Sequence, residues 1–158
     1  MDRVIQRLAY PFSQERVSKL CRTAGSIKFN EYMLKRIDRM VVARSQEFTE
    51  EYYREYWGSF DHFDQHGFGY AIMHQDKIVC ECTSIFCNPE QAEMDIVTSE
   101  EYRGQGWGLE CAQAFIEVTL RRKAVPRWDC YADNTASRKM ASRLGFAESM
   151  EYTVYVRK

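Results

Sequence analysis

The stretch Arg103-Gly104-Gln105-Gly106-Trp107-Gly108 decides the fold of this chain. It follows residues 92–98, where apolar and polar side chains alternate, and it precedes residues 109–122, where apolar side chains recur at helical spacing. Alternation predicts a strand, and the second pattern predicts a helix. Glycines in such a turn let main-chain N–H groups approach an anion, and the helix N-terminus adds a partial positive charge. The loop is therefore predicted to hold a pyrophosphate.

Length and composition predict a single globular domain. The chain has 158 residues, of which 45% are hydrophobic and 14% aromatic, which excludes a disordered class. The net charge of −1 gives no general attraction to nucleic acid. No apolar run approaches the roughly 18 residues of a membrane span, and residues 1–4 do not begin a signal peptide. We expect a cytoplasmic protein with neither a membrane nor a nucleic-acid partner.

Six cysteines lie mostly within apolar patterns, which is typical of small buried side chains in a reducing compartment. Cys80 and Cys82, together with His62 and His66, suggest a metal-ligand set. A single intervening residue is poor spacing for structural zinc and fits one face of a strand equally well. We therefore expect no metal.

Hydrophobic periodicity and turn residues divide the chain into helices and strands. The predicted helices cover residues 12–24, 50–57, 109–122 and 135–143. The predicted strands cover residues 30–37, 69–74, 77–86, 91–98 and 128–131, and residues 146–156 as one strand or a pair. The segment around Phe60 and Phe63 shows no clear pattern. This order predicts the α/β (α+β) class, with a mixed, twisted central sheet flanked by helices.

Three ordered motifs point to one family. Arg103-x-x-Gly106-x-Gly108 matches the acetyl-CoA motif Arg/Gln-x-x-Gly-x-Gly/Ala, and Asn134-x-x-Ser137 and then Leu144-Gly145-Phe146 follow it. Over residues 34–155 the chain resembles the GNAT superfamily, which implies a single acyl-CoA N-acyltransferase domain over residues 1–158. The motifs that resemble the group including the zwittermicin A resistance acetyltransferase are Glu93-x-Asp95-Ile96, Tyr102-Arg103-Gly104, Trp128-Asp129-Cys130 and Gly67-Phe68-Gly69.

Other phosphate loops fit less well. The chain has no Gly-x4-Gly-Lys-Ser/Thr, which excludes a P-loop NTPase, and Gly104-x-Gly106-x-Gly108 lacks the dinucleotide-binding spacing. The remaining alternative is that these glycines only form a tight connection, for which one glycine would suffice.

The resemblance implies acetyl-CoA as cosubstrate. The main chain of Ile96, Val97 and Thr98 would pair with the pantetheine arm, and one N–H there would face the thioester carbonyl oxygen. The residues whose N–H groups would hold the pyrophosphate are Arg103, Gly104, Gln105, Gly106, Trp107 and Gly108. Asn134 and Ser137 would also contact the cofactor. Three further cations would meet its phosphates or form a solvated helix face, namely Arg138, Lys139 and Arg143.

Two carboxylates are the candidate bases. An alkylamine has a pKa of about 10, so a base is useful at neutral pH. Glu93 and Asp95 are two residues apart, so both would lie on one face of the strand. We favour Glu93, because the family often carries a glutamate near this position; the alternative is an exposed or paired polar residue. A bulge on this strand, frequent in the family, would change the face that each residue meets.

The general acid departs from the family pattern. Many members place a tyrosine seven residues after the asparagine, near the CoA sulfur, and Ala141 stands there in this chain. Tyr131, Tyr152 and Tyr155 are alternative proton donors, although the favoured interpretation of each is a packed aromatic residue with a hydrogen-bonded hydroxyl.

Two hypotheses follow. One is an N-acetyltransferase that acts on a primary amine of a small molecule, and the other is a CoA-binding regulatory module without turnover. A protein or aminoacyl-tRNA acceptor is a further alternative, and a homodimer is left open. Nine aromatic residues lie between Phe48 and Tyr70, and a minority of them would border the acceptor site. Acidic residues among them would suit a cationic amine, namely Glu50, Glu51, Glu55, Asp61 and Asp64.

Overall fold

A computed structural model of the chain describes residues 3–10, 31–146 and 149–156. The described residues form two compact units. Residues 31–126 make the larger unit, and residues 3–10, 127–146 and 149–156 make the smaller one. Among the described helices, none is both long enough and apolar enough to cross a membrane.

The described elements alternate along the chain. The strands are β1 (Arg3–Tyr10), β2 (Tyr32–Arg36), β3 (Gly69–His74), β4 (Lys77–Cys87), β5 (Gln91–Thr98), β6 (Val125–Tyr131) and β7 (Met150–Val156). The helices are α1 (Arg39–Arg44), α2 (Glu50–Trp57), α3 (Phe60–His66), α4 (Trp107–Arg121) and α5 (Thr135–Arg143). A short 3-10 helix, Glu100–Tyr102, connects β5 to the glycine loop.

Side-chain caps start the three short helices of the larger unit. Asp38 accepts a hydrogen bond from the Val41 N–H at 3.0 Å, and this bond begins α1. Thr49 caps α2, as its sequence predicts, and Ser59 caps α3. Each cap satisfies an N–H group that the first turn leaves without a helical partner.

The strands of the larger unit pair in the order β2-β3-β4-β5, and each of these pairs is antiparallel. One face of this sheet packs on α1, α2 and α3 through a cluster of buried apolar residues. The cluster comprises Ile37, Val41, Val42, Phe48, Tyr53, Phe60, Phe63, Ala71 and Met73. The opposite face packs on α4, whose Cys111 lies 3.3 Å from the carbonyl oxygen of Tyr70.

Strand β5 alternates as predicted. Ala92 and Met94 are buried, whereas Glu93 and Asp95 are partly exposed on the other face, which confirms that the two carboxylates share a face. The irregularity in the pairing of β4 and β5 lies on β4 and leaves this alternation intact. The register shift lies in β4, between Ser84 and Phe86, because β4 carries the extra residue there.

Gly69 is explained by packing. A Cβ at this position would lie 2.8 Å from Cδ1 of Ile37 and 2.9 Å from the carbonyl oxygen of Cys82. Neither distance is compatible with a side chain, so β3 can approach these groups only with a glycine there. The Gly67-Phe68-Gly69 motif therefore follows from the local packing of this sheet.

The smaller unit is built on β1, which pairs antiparallel with both β6 and β7. Trp128 on β6 packs against Phe146, with ring centroids 5.8 Å apart. Arg7 on β1 forms an ion pair with Asp129, whose side chain is only 11% exposed. The pair links the two strands on the face opposite the buried side chains of Leu8, Trp128 and Cys130.

Most predicted elements are confirmed. The predicted ranges 50–57, 69–74, 91–98 and 135–143 coincide with α2, β3, β5 and α5. Strand β6 begins three residues earlier than predicted, and residues 150–156 form one strand. Helices α1 and α3 and strand β1 were not predicted. The predicted helix 12–24 lies outside the described residues.

Candidate active site

The glycine loop joins β5 to α4 and is exposed from Arg103 to Gly106. Gly104 and Gly106 have φ angles of +75° and +90°, a region that side chains other than glycine rarely adopt. A Cβ at either position would meet no described atom within 4 Å. The backbone conformation itself therefore requires two glycines, where we expected that one would suffice for a turn.

Gly106 is the N-cap of α4, and no described side chain caps this helix. The N–H groups of the first turn therefore lack the side-chain partner that begins the three shorter helices. Together with the open space around Gly104 and Gly106, this end of α4 fits an anionic group such as a pyrophosphate. Gly108 is buried within that first turn.

Aromatic stacking holds the loop against β2 and β3. The Trp107 ring stacks on Tyr32 at a centroid distance of 4.2 Å, and Tyr32 stacks on His74 at 4.4 Å. The Trp107 indole N–H donates to the side-chain oxygen of Gln105. Arg103 donates from Nε to the carbonyl oxygen of Thr98 at 3.1 Å, which ties the loop to the end of β5.

The end of β5 presents the main chain expected to meet the thioester. Strand β4 pairs with one edge of β5, where Cys82, Glu81 and Cys80 face Ile96, Val97 and Thr98. The side chain of Val97 packs against the apolar cluster, and Thr98 donates from its hydroxyl to Sγ of Cys80 at 3.3 Å. Side-chain contacts on both faces of β5 thus hold the main chain of these three residues in place.

Asp95 lies in a polar row at the base of α2. The Tyr52 hydroxyl donates to Asp95 Oδ2 at 3.0 Å, and the Tyr53 hydroxyl lies 3.0 Å from the hydroxyl of Thr83, the residue opposite Asp95. Burial, reinforced by Asp95, raises the pKa of Tyr52 well above its usual value. Tyr52 therefore stays a hydrogen-bond donor to the carboxylate at neutral pH.

Glu93 lies further from the expected thioester than Asp95. With a rise of about 3.3 Å per residue, Glu93 is about 13 Å along the strand from Val97, and Asp95 is about 7 Å from it. The register shift of β4 falls between the rows of Glu93 and Asp95. The strand therefore brings the two carboxylates onto one face but places Asp95 nearer the residues predicted to hold the donor.

Glu81 is a third carboxylate on this face, which sequence reasoning missed. It lies directly opposite Val97 on β4 and is only 3% exposed. Ser45 donates from its hydroxyl to Glu81 Oε2 at 2.8 Å, whereas Oε1 is buried without a partner among the described residues. Burial is the main cause that raises the pKa of Glu81 from 4.5 to about 7.

The aromatic segment mostly builds the core. Tyr53, Phe60, Phe63 and Phe68 are buried, whereas Tyr56 is 48% exposed. The acidic residues expected to attract an amine are partly engaged. Asp61 and Asp64 form ion pairs with Arg39 and Arg36, respectively. The rings of His62 and His66 on α3 meet edge to face, with centroids 4.6 Å apart.

Asn134 and Ser137 have structural contacts in the smaller unit. The Asn134 side chain accepts from the Ser137 N–H at 3.1 Å and thereby caps α5. The Ser137 hydroxyl accepts from the Trp128 indole N–H at 3.2 Å. Arg138 donates to the carbonyl oxygen of Ala132. These contacts explain the motif locally, and a contact with the cofactor stays a prediction.

Ala141 is fully buried in α5. Among the tyrosines considered as proton donors, Tyr152 donates a hydrogen bond from its hydroxyl to Asp129, and burial, together with this carboxylate, raises the pKa of Tyr152. Tyr155 is 72% exposed, and Tyr131 lies under the Arg7 guanidinium at 4.8 Å. Tyr152 is thus engaged by a carboxylate, and a proton-donating role for Tyr131, Tyr152 or Tyr155 stays a prediction.

Within the described ranges, the side chains of His, Cys, Asp and Glu form no cluster of three that could hold a metal ion. Cys80, Cys82 and Cys111 are buried between the sheet and α4, and burial raises the pKa of Cys82 and Cys111 well above the usual range. Cys82 and Cys111 are therefore protonated parts of the core.

Comparison with known proteins identifies the family. A sequence model of the GNAT acetyltransferase family matches residues 3–155. This chain belongs to the GNAT acetyltransferase family. The match begins at residue 3, so β1 belongs to the GNAT domain, although the motifs alone indicated residues 34–155. Family members use acetyl-CoA as cosubstrate, in agreement with the glycine loop of this GNAT chain.

Individual relatives agree with this assignment. The uncharacterized N-acetyltransferase YdfB of Bacillus subtilis (strain 168) is 46% identical over 123 residues, which cover 78% of this chain and 47% of that protein. The GNAT chain therefore spans about half the length of this relative.

Solved structures show the same fold. A GCN5-related N-acetyltransferase-like protein from Streptococcus suis 89/1591 superimposes with a TM-score of 0.73 at 27% identity, over 99% of this chain and 63% of that one. The ribosomal-protein-S18-alanine N-acetyltransferase from Escherichia coli has a TM-score of 0.57 at 14% identity, over 80% and 95% of the two chains. The predicted α/β class, a GNAT-like mixed sheet with flanking helices, is confirmed.

Proposed function

We propose that this GNAT chain is an acetyl-CoA-dependent N-acetyltransferase that transfers an acetyl group to a primary amine of a small molecule by direct attack on the thioester. The observation that carries the proposal is the uncapped N-terminus of α4 behind two left-handed glycines, in a chain of this family. We further propose that residues 1–158 act as one acyl-CoA N-acyltransferase domain.

The donor side uses main-chain groups of the larger unit. The N–H groups from Arg103 to Gly108 would bind the pyrophosphate at the N-terminus of α4, where the loop residues Arg103 to Gly106 are exposed. The main chain of Ile96, Val97 and Thr98 would pair with the pantetheine arm, and one of its N–H groups would stabilise the oxyanion. Asn134 and Ser137 are proposed as further cofactor contacts.

The acceptor side needs a carboxylate. An ammonium group must lose a proton before its nitrogen can attack the thioester carbon. Glu93 and Asp95 share the face of β5 on which α2 packs, and we propose that one of them takes this proton. The C–N bond then forms, the nitrogen loses its second proton to solvent, the C–S bond breaks, and the thiolate takes a proton from solvent. A thiol pKa of about 8.5 makes this departure feasible without a dedicated acid.

The acceptor is proposed to be a compact, cationic amine of the amino-acid or antibiotic type. The carboxylates of Asp95 and Glu93 would attract such a group. The motifs similar to the zwittermicin A resistance group support the same substrate class, although Gly67-Phe68-Gly69 is explained by packing alone.

A second candidate function is a CoA-binding module without turnover. The observation in its favour is Ala141, which is buried where many family members place the tyrosine that protonates the thiolate. This candidate shares the donor site and differs only in the chemical step.

Turnover separates the two functions. The purified chain is incubated with acetyl-CoA and a panel of amino acids, polyamines and amino sugars, and the released thiol and the mass of each acceptor are measured. We expect thiol release matched by a mass gain of one acetyl group. Binding of acetyl-CoA without either product favours the regulatory module, and acetylation of an added peptide or aminoacyl-tRNA alone would redirect the acceptor class.

A further inference from the structure

One carboxylate of β5 is held by a side chain of α2. The Tyr52 hydroxyl donates a hydrogen bond to Asp95 Oδ2 at 3.0 Å, between residues that are 43 positions apart in the chain. Thr83 lies opposite Asp95 in the β4–β5 register. Phe86 lies opposite Glu93, beyond the register shift. The two candidate bases therefore have different surroundings, although they share one face of the strand.

Aromatic packing fixes the direction of the Tyr52 hydroxyl. Between centroids, the ring lies 4.8 Å from the rings of both Phe48 and Tyr56 and 5.2 Å from the ring of Tyr53. It also packs against the buried apolar cluster of the larger unit. A ring that is held on several sides has few orientations available, so its hydroxyl stays directed at the carboxylate.

Asp95 combines exposure to solvent with a short distance to the expected thioester. Asp95 is partly exposed, and Tyr56, beside Tyr52 on α2, is 48% exposed. A reacting nitrogen must lie about 3 Å from the oxygen that takes its proton and about 3 Å from the thioester carbon. The rise of about 7 Å from Asp95 to Val97 matches this span, whereas the rise of about 13 Å from Glu93 exceeds it.

We propose that Asp95 is the carboxylate that takes the proton of the acceptor amine and that Tyr52 is the positioning residue that holds it in place. The inference rests on the proposed function. The acceptor ammonium gives one proton to Asp95, and the neutral nitrogen attacks the thioester carbon. The C–N bond forms, the nitrogen loses its second proton to solvent, and the C–S bond breaks. The thiolate takes a proton from solvent, and Asp95 releases its proton to water.

The neighbouring tyrosine supplies a matched control. The Tyr53 hydroxyl lies 3.0 Å from the hydroxyl of Thr83, the residue opposite Asp95. Y52F and Y53F therefore remove the same atom from adjacent positions of α2, and each removes one hydrogen bond to the same row of the sheet. Both variants keep the ring and its packing. A difference in rate between them reports the contact with the carboxylate.

The test is a double-mutant cycle on kcat with the best amine of the panel. D95N should lower kcat by roughly 100-fold, because the amine loses its proton acceptor. Y52F should lower kcat by roughly 10-fold without changing the KM for acetyl-CoA, because the carboxylate is no longer held in position. In the D95N background, Y52F should cause no further loss, since its effect acts through Asp95. Y53F should keep the kcat of the wild type.

Glu117→Gln controls for the loss of one negative charge, because this exposed glutamate pairs with Arg121 on the surface of α4. It should also leave kcat unchanged. Thermal unfolding of each variant verifies that it is folded at the assay temperature.

The possible outcomes separate the two roles from the proposed function. Wild-type kcat in Y52F, or an equal loss from Y52F in the wild type and in D95N, overturns the positioning role of Tyr52. Loss of rate in E93Q but not in D95N overturns the role of Asp95 and leaves the acetyl transfer in place. A wild type that binds acetyl-CoA and acetylates no amine overturns the proposed function, and with it this inference.

Discussion

At the scale of single residues, the ionisation of Glu81 makes the stability of the fold depend on pH. Its folded pKa of about 7 exceeds the ordinary value of 4.5, so the folded state binds more protons than the unfolded chain between these two values. Stability contributed by the protonated group is complete below pH 4.5 and is lost as the pH rises through 7. The larger unit is therefore less stable with Glu81 ionised.

E81Q should remove this dependence. At about 1.4 kcal/mol per pKa unit, the wild type should lose about 3 kcal/mol more unfolding free energy than E81Q between pH 4.5 and pH 8. The reason is that glutamine stays neutral at both pH values. Urea unfolding at the two pH values measures the difference, with Glu117→Gln as control. Equal losses in wild type and E81Q would mean that Glu81 ionises freely in the folded state.

Substitutions at Asn134 can distinguish its role as the N-cap of α5 from its predicted contact with the cofactor. N134A should cost about 1 kcal/mol, because α5 loses the acceptor for the Ser137 N–H. N134S should keep the cap, since serine is an equally good N-cap residue. If the Asn134 amide contacts CoA, then N134S should bind CoA more weakly than wild type at equal stability. Calorimetric titration with CoA measures this, and unchanged affinity would leave Asn134 with a capping role alone.

Sequence reasoning located some of these residues and missed others for physical reasons. The period of two in β5 placed Glu93 and Asp95 on one face, which is confirmed. Glu81 was missed because Cys80 and Cys82 gave its segment the pattern of a core strand. The sequence offered one indication of Glu81, namely a single glutamate between two buried cysteines. Its contact with Ser45, 36 residues away, is tertiary and leaves no local pattern.

At the scale of elements, the connection between β5 and α4 is fixed by backbone conformation. Gly104 and Gly106 both adopt a left-handed backbone conformation. A Cβ at either position would have no described atom within 4 Å. A substitution there meets strain without a steric clash. The loop therefore offers a way to change the amide geometry with little effect on packing.

G106A should weaken CoA binding more than it weakens the fold. The left-handed conformation costs a non-glycine residue about 1–2 kcal/mol, and any relaxation moves the N–H groups of the first turn of α4. Gly58→Ala is the matched control, because Gly58 also has a φ of +80° and open space but ends α2. Both variants should lose similar stability in thermal unfolding, and G106A alone should lose CoA affinity. If both variants bind CoA with equal affinity, the loop does not form part of the binding site.

The elements that were not predicted from the sequence are those whose local hydrophobic patterns are weak. Helices α1 and α3 have six and seven residues, fewer than two full periods of an amphipathic stripe. Strand β1 lacks strict alternation and is held by β6 and β7, which lie more than 110 residues later in the chain. By contrast, α2 and α5 begin at Thr49 and Asn134, which are residue types that can be recognised as helix caps from the sequence alone.

At the scale of the whole molecule, the predicted donor contacts come from several elements. They are the main chain of Ile96–Thr98, the glycine loop, and the side chains of Asn134 and Ser137. A ligand that binds only the folded chain stabilises it by mass action, whichever unit it contacts. Thermal unfolding of the intact chain therefore reports the sum of these contacts.

Acetyl-CoA should raise the melting temperature of the chain. At a concentration about 100 times Kd, the gain is about 2.7 kcal/mol, or roughly 5–10 °C for a chain of this size. Acetyl-pantetheine, which lacks the pyrophosphate, should give a much smaller shift at the same concentration, because the amides of α4 lose their anion. G106A should reduce the acetyl-CoA shift toward that of acetyl-pantetheine, whereas Gly58→Ala should not. Equal shifts with both ligands would mean that the thioester arm binds without the glycine loop.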